Sequence, residues 1–445
     1  MGFLITAALD PGAGTPEPLV YAVAMVGLWA FYLGRRRRGH QRAVVALAES
    51  TASGLTEPVS LHPLIDPIRC LGCGACVGAC PEGEILGLID GKAEMIRPTD
   101  CIGHGACRDA CPTDAITLVF GTARRGVDIP TLSPAFETTV PGIFIAGELG
   151  GMGLVRNAID QGRQAMESIV ELCRERHGQP LDVVVVGAGP AGFSASLAAL
   201  EHGLRAVTVE QDTLGGTVAR YPRGKMIMTA PVELPLIGTV KFREVSKEQL
   251  LEFWRNVETS TDLHINYRER VKSIERRGEA LEVTTTRATY RTRTVLLAIG
   301  RRGTPRKLGV PGEDMPKVVY SLVDPDQYRD QRVLVVGGGD SALEAAAALA
   351  DTTGTRVTLS YRSEAFGRAK ARNRARVETA AAKGRLTVLM KSTPQAVRDG
   401  AVDLVVDGSP ASIENDAVIV CAGGILPTPF LASLGLELET KHGTA

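Results

Sequence analysis

Aromatic side chains are scarce in this chain, 4% of 445 residues, and neither sign of charge prevails: Lys+Arg and Asp+Glu both count 50, a formal net charge of zero. Nucleic-acid recognition draws on a basic face with aromatic or groove-reading elements, and nothing global here favours it. General disorder is excluded as well, because hydrophobic residues make up 44% and charged ones 22%, near the globular average. At roughly 150 residues per domain the length implies about three folding units, not a small disulfide-stapled module. What the chain holds in quantity is glycine, 49 residues, and cysteine, nine, of which seven fall between Cys70 and Cys111.

An uncharged run from Leu19 to Gly34 follows Pro18, which suits a helix start, and is closed by Arg35, Arg36, Arg37 and Arg38. Such a helix reaches about 24 Å, short of the ~30 Å hydrocarbon core unless the arginines snorkel and flanking residues contribute. A cleaved signal peptide is disfavoured because no basic segment precedes the run, and a core helix because four arginines follow it directly. The resulting expectation is one transmembrane helix at about 18–34 within an N-terminal segment 1–39, with lipid as its partner. It would place the chain in the inner membrane with its catalytic part cytoplasmic. Residues 40–62 read as a linker helix with a proline-punctuated end.

Cys70, Cys73, Cys76 and Cys80-Pro81 have the spacing C-x2-C-x2-C-x3-C-P, and Cys101, His104, Cys107 and Cys111-Pro112 repeat it. Thiolates two residues apart on a glycine-rich loop can wrap three corners of a cubane, while the fourth, before proline, points to a second cluster. Zinc sites favour paired C-x2-C knuckles, and disulfides do not suit the cytoplasmic side. The pair resembles the bacterial two-cluster ferredoxin module over roughly residues 60–120. That resemblance implies that Cys70, Cys73, Cys76 and Cys111 hold one [4Fe-4S] cluster, and Cys80, Cys101 and Cys107 the other. His104 stands where the second repeat should have its middle cysteine. Imidazole ligation of a [4Fe-4S] cluster, a [3Fe-4S] cluster and a solvated histidine beside a degraded site all remain open, with ligation favoured.

From Leu181 a buried-strand pattern runs into Gly187-Ala188-Gly189-Pro190-Ala191-Gly192 and an Ala/Leu-rich helix, and Glu210 closes the next strand. Glycines there permit a tight turn and let a pyrophosphate approach the helix N-terminus, and the acid suits a ribose. Gly215-Gly216 adds a second close-approach turn. Another strand, Arg332 to Val336, leads to Gly337-Gly338-Gly339-Asp340-Ser341-Ala342. Its following strand ends in Tyr361-Arg362-Ser363, without an acid at the ribose position. Arg362, with Arg368, Lys370 and Arg372, suits a 2′-phosphate, so NADPH is favoured over NADH. With Val295 to Gly300 and Val418 to Gly424, these segments make residues 181–445 resemble the thioredoxin-reductase-like superfamily, including ferredoxin–NADP reductases of that type.

The resemblance implies FAD in the first unit and NAD(P)H in the second. It also implies a terminal strand, a Gly-acid pair facing the flavin ribityl chain and a helix under the flavin, for which the chain ends too early. These appear upstream instead: Ile143 to Gly147-Glu148, then Gly150 to Gly153 and a helix from about Leu154 to Arg174. The order looks circularly permuted, with Glu148 where Asp is usual. The expected architecture is α/β. Two Rossmann-like domains, for FAD (181–318, completed by 127–176 and 429–445) and NAD(P) (319–428), join an α+β ferredoxin domain (63–126).

Nicotinamide passes a hydride, a cubane takes one electron, and flavin does both, so the cofactors carry the chemistry and no catalytic side chain is named. The expected function is an electron relay from NAD(P)H through FAD and clusters to a redox protein or a membrane electron carrier, with the oligomeric state open. A disulfide reductase needs a thiol pair, yet 318–332 holds no cysteine, and Ala191 stands where the bacillithiol disulfide reductase family has its reactive cysteine. Cys173 and Cys421 read as packing residues. The third alternative is a redox-sensing membrane subunit without turnover.

Overall fold

The computed structural model describes residues 17–443 except 59–60, 125, 152, 175–180, 222, 225, 229–230, 242–243, 302, 368 and 426. Helix α1, Glu17–Ala52, takes in the uncharged run and the arginines without a break. Its later half lays Ala43 and Ala46 on Ile89 and Ile96. Gly87 makes that approach feasible, since a Cβ there would lie 2.7 Å from the Ala43 Cβ. Ser50 Oγ also donates to the Ile96 carbonyl at 2.8 Å.

The expected membrane span at 18–34, the lipid partner and the inner-membrane location are thereby corrected. Among the described residues no helix is long and apolar enough to cross a membrane. The physical reason is the brevity of the uncharged stretch, which Arg35 ends, and the continuation of the same helix into a half packed on the cysteine-rich unit. Residues 40–52 accordingly belong to α1 and form no separate linker helix.

In the cysteine-rich unit, strand His62–Ile65 pairs antiparallel with Ile116–Val119, and Leu86–Ile89 with Lys92–Met95. Helices α2, Ala75–Ala79, and α3, Ala106–Asp109, each start after a left-handed glycine, Gly74 (φ 77) and Gly105 (φ 80). The internal repeat of the sequence is thus a repeat of loop geometry.

The next unit is built on valine-rich strands buried on both faces. Leu181–Val186 lies between Ala206–Glu210 and Thr289–Leu297, all parallel, and Ile143–Ile145 pairs in parallel with Thr289–Leu297. Helix α4, Val155–Cys173, packs on α5, Pro190–Glu201, around Met166, Ile169 and Ala195. The two backbones nearly touch: a Cβ on Gly162 would fall 2.0 Å from the Ala191 carbonyl oxygen. In an ordinary helix interior Gly→Ala stabilises by about 0.5–1 kcal/mol. Here the sign reverses, and Gly162→Ala is expected to cost about 1–3 kcal/mol through overpacking, read as a lower thermal midpoint.

Helix α6, Lys247–Ser260, closes this unit through Trp254, 1% exposed. The second nucleotide-type unit has a parallel sheet in the order Val318–Val319, Ala417–Val420, Arg332–Val336, Arg356–Ser360, Leu386–Leu389. Helices α7, Asp340–Ala350, and α8, Ala371–Ala382, belong to it. Finally α9, Thr428–Ser433, packs Leu431 into the first unit's core, and strand Leu438–Lys441 pairs with Val127–Pro130.

Candidate functional site

A cavity of about 1190 Å³ opens where strand Leu181–Val186 turns into α5. Val186 leads to Gly187 (φ 104), whose Cβ would lie 2.6 Å from the Ala298 carbonyl oxygen, so only glycine makes this turn. Gly189 caps α5 and Pro190 is its first residue, which leaves the helix's first N–H groups facing the cavity as an anion seat. Opposite lies Glu210, 6% exposed, whose carboxylate accepts from Ala188 N at 2.7 Å and Asp212 N at 2.9 Å. Burial pushes its pKa up, opposed by those two N–H groups.

The displaced segment contributes Gly147, Glu148 and Gly153 to the same cavity wall, alongside Gly187, Gly189, Pro190, Ala191, Glu210, Gly216 and Gly300. Gly147 is held by its N–H to Gln161 Oε1 at 2.8 Å. Gly192 and Gly215 shape the walls from behind. A Cβ on Gly192 would meet the Gly187 carbonyl oxygen at 1.8 Å, and Gly215 N donates to the Ala188 carbonyl at 2.9 Å.

Sequence reasoning missed Arg268, Arg270, Lys272 and Phe430, which also line the cavity. A signal existed for the first three. Strand Ile265–Tyr267 runs parallel to the strand ending at Glu210, with Tyr267 in register with that acid, so the residues just past Tyr267 must reach the same sheet end.

In the second unit Gly337 (φ 145) crosses Cys421, whose carbonyl oxygen would lie 2.4 Å from a Cβ. Gly339 caps α7, Ser341 is exposed, and Asp340 turns back to accept from Lys370 N at 2.8 Å and Asn373 Nδ2 at 2.7 Å. Arg362 is exposed, and Arg368 lies outside the described residues. The Tyr361 ring covers Gly338, where a Cβ would come within 2.3 Å, and stacks on Phe366 at 5.5 Å. Cys173 is buried at the end of α4, while Cys421 is half-buried just past strand Ala417–Val420.

The cysteines separate into two cavities. Cys70, Cys73, Cys76 and Cys111 line one; Cys80, Cys101, His104 and Cys107 line the other, together with Glu82. Gly72 and Gly103 hold the loops tight, their Cβ positions falling 1.9 Å from the Gly91 carbonyl oxygen and 2.7 Å from that of Leu61. Backbone N–H groups of Ala93 and Ala115 donate to Cys70 Sγ and Cys111 Sγ at 3.5 and 3.3 Å. Burial, then neighbouring thiols, pushes Cys76 up to about 11, and burial also raises Cys80, Cys101 and Cys107. Buried thiols of this kind become stable thiolates when iron neutralises them.

Among the described residues no three His, Cys, Asp or Glu side chains converge on a single-ion site. Both sets surround a cavity instead, which fits a polynuclear cluster. His104 Nε2 lies 3.9 Å from Glu82 Oε1. Burial lowers the His104 pKa, Glu82 opposes, and Lys370 adds to the lowering. The imidazole is thereby biased to the neutral form a metal ligand requires. Glu82 did not stand out in the sequence, and Lys370 is read there with a 2′-phosphate, not with His104.

Several contacts among the described residues join this unit to the rest, among them Gly443 N donating to the Phe120 carbonyl at 2.8 Å. The Phe120 ring fills the space a Cβ would need, at 2.5 Å, on Gly151, three residues beyond Glu148. Asp100 Oδ1 accepts from Ala371 N at 3.3 Å, capping α8.

Two glycine-turn units, one with a dinucleotide-sized cleft, define a flavoprotein oxidoreductase of the two-nucleotide class. The chain belongs to the pyridine nucleotide-disulphide oxidoreductase family, whose sequence model matches residues 184–444, and residues 62–112 match the 4Fe-4S dicluster domain. It is an FAD-dependent NAD(P)H oxidoreductase with an iron–sulfur domain. A ferredoxin–NADP reductase of Ignicoccus hospitalis is 30% identical over 272 residues, 59% of this chain and 83% of the relative. One from Thermus thermophilus is 32% identical, over 58% and 77%. Bacilliredoxin reductase Bdr of Bacillus subtilis is 27% identical, over 58% and 82%. Among solved structures, the bacillithiol disulfide reductase Bdr of Bacillus cereus superposes with a TM-score of 0.51 at 25% identity, covering 57% of this chain and 81% of that one.

Proposed function

We propose that the chain passes electrons from NADPH to FAD in the large cleft, and on to two iron–sulfur clusters and a one-electron acceptor protein. Nicotinamide gives up electrons as a hydride, flavin splits the pair, and clusters carry single electrons. The chain's own residues bind and orient. The N–H groups opening α5 face the pyrophosphate, Glu210 accepts from the ribose, and Glu148 faces the ribityl chain. Gly339, at the start of α7, and Arg362 serve NADPH and its 2′-phosphate. Cys70, Cys73, Cys76 and Cys111 hold a [4Fe-4S] cluster; Cys80, Cys101 and Cys107 hold the second, with His104 as fourth ligand.

The observation that carries this reading is the packing of Phe120, from the cysteine-rich unit, directly on Gly151 of the segment that carries Glu148. The two redox units therefore meet without a tether. Disulfide reduction finds no support in residues 318–332, which lack cysteine, or in Ala191. Anaerobic titration with NADPH, followed by absorbance and EPR, is expected to bleach flavin and then clusters, with NADH less effective. Flavin reduction with clusters left oxidised would refute the relay, and a three-iron signal would remove His104 from the ligand set.

A further inference from the structure

The two cysteine sets differ in exposure. The set containing His104 adjoins the second nucleotide unit: Asp100, beside Cys101, accepts from Ala371 N at the start of α8. The other set looks outward, with Cys73 exposed and flanked by Leu71, 73% exposed, and Ile68, 90% exposed. Single exposed apolar residues are ordinary, but two on the loop that carries an exposed cluster ligand form the edge of a redox centre.

That loop borders a cationic surface. Gly72 sits against the Gly91 carbonyl, and a Cβ on Gly91 would lie 3.7 Å from the Arg36 guanidinium. Arg36 belongs to the exposed block Arg35 to Arg38 of α1, and Arg69 is exposed on the loop itself. Carboxylates on the same loops and hairpin are Asp66, Asp90, Glu94 and Asp114: Asp66 accepts from Ile68 N at 2.8 Å, and Asp90 lies 3.9 Å from His40. The five arginines outnumber them.

We propose that loop 68–73 and the Arg35 to Arg38 block form the docking surface for an acidic protein that carries one electron. The proposal rests on the relay reading above and places the exit at the outward cysteine set, away from the flavin cleft. A small apolar centre rimmed by an excess of positive charge suits a transient, electrostatically steered encounter. NADPH oxidised to NADP+ and H+ releases two electrons, so two carrier molecules are each reduced by one.

The test uses the full holoprotein, an acidic plant-type [2Fe-2S] ferredoxin as probe and a basic c-type cytochrome as opposite-charge control. Wild-type protein is expected to bind the acidic probe with an affinity that falls as salt rises. Arg36→Glu/Arg37→Glu and Ile68→Asp are each expected to weaken the dissociation constant by about tenfold or more at low salt. In both variants NADPH should bleach the protein's own clusters as in the wild type. Equal affinity of variants and wild type, or tighter binding of the basic cytochrome, overturns the surface assignment alone. Wild-type clusters that stay oxidised with NADPH overturn the relay, and the exit surface falls with it.

Discussion

Gly192→Val is expected to yield a protein that loses FAD on purification, with affinity for added FAD lowered at least ~100-fold, about 2.7 kcal/mol. Gly192 is the third residue of α5, and a Cβ there would sit 1.8 Å from the Gly187 carbonyl oxygen and 3.2 Å from the Ala298 Cβ. Both neighbours belong to the turns that end strands Leu181–Val186 and Thr289–Leu297. A side chain therefore lifts the start of α5 off the sheet and swings its free N–H groups away from the cavity. Those N–H groups are the chain's anion seat, so phosphate recognition suffers before anything else. The measurement is flavin content and FAD titration by fluorescence quenching. Retained iron–sulfur absorbance shows that the loss is local, because the cysteine-rich unit lies outside this turn. Stoichiometric FAD in the variant would show that the pyrophosphate sits elsewhere.

Features that were legible from the sequence are those whose cause is local. A valine run followed by glycines at fixed spacing encodes strand, turn and helix in one stretch, and Gly187, Gly189 and Glu210 meet at the cleft as their spacing implies. The cysteine spacing likewise translates into loops, because Gly72, Gly74, Gly103 and Gly105 hold positive φ. Even the displaced position of Gly147-Glu148 could be noticed, since the strand and glycine pattern survives relocation.

What failed or was missed depends on distant partners. The uncharged run of α1, with Pro18 before it and four arginines after it, suggests a span from within its own window, whereas its continuation is decided by Ala43 and Ala46 meeting a hairpin some forty residues on. Glu82 sits beside His104 only because the loops after Cys80 and Cys101 share one cavity. Asp100 and Ala371 meet across 271 residues of chain, which brings Lys370 towards His104. Tyr361 over Gly338 follows from how one strand end lies beside another. No window of sequence contains such pairs.

Cys107→Ala separates the two halves of the proposed relay. Cys107 is 9% exposed at the second position of α3 and lines the cavity with Cys80, Cys101 and His104, so its loss leaves three donors for a cluster that wants four. Iron content is expected to fall by about half, with flavin content unchanged. NADPH should still reduce the flavin at the wild-type rate, because the cleft lies between other elements. Transfer to a one-electron protein acceptor should drop by at least ~100-fold, equivalent to about 2.7 kcal/mol in barrier. Cys73→Ala, at the exposed set, provides the contrast. It should also lose about half the iron, yet retain the EPR signal of the cluster at the His104 set and its reduction by NADPH. If Cys107→Ala transferred electrons to the acceptor as fast as wild type, electrons would be leaving the flavin without passing the His104 set. The packing of Phe120 on Gly151 would then be a structural joint and not the route. If Cys73→Ala alone retained transfer, the exit would lie at the His104 set, on the face that Asp100 and Lys370 now share with α8.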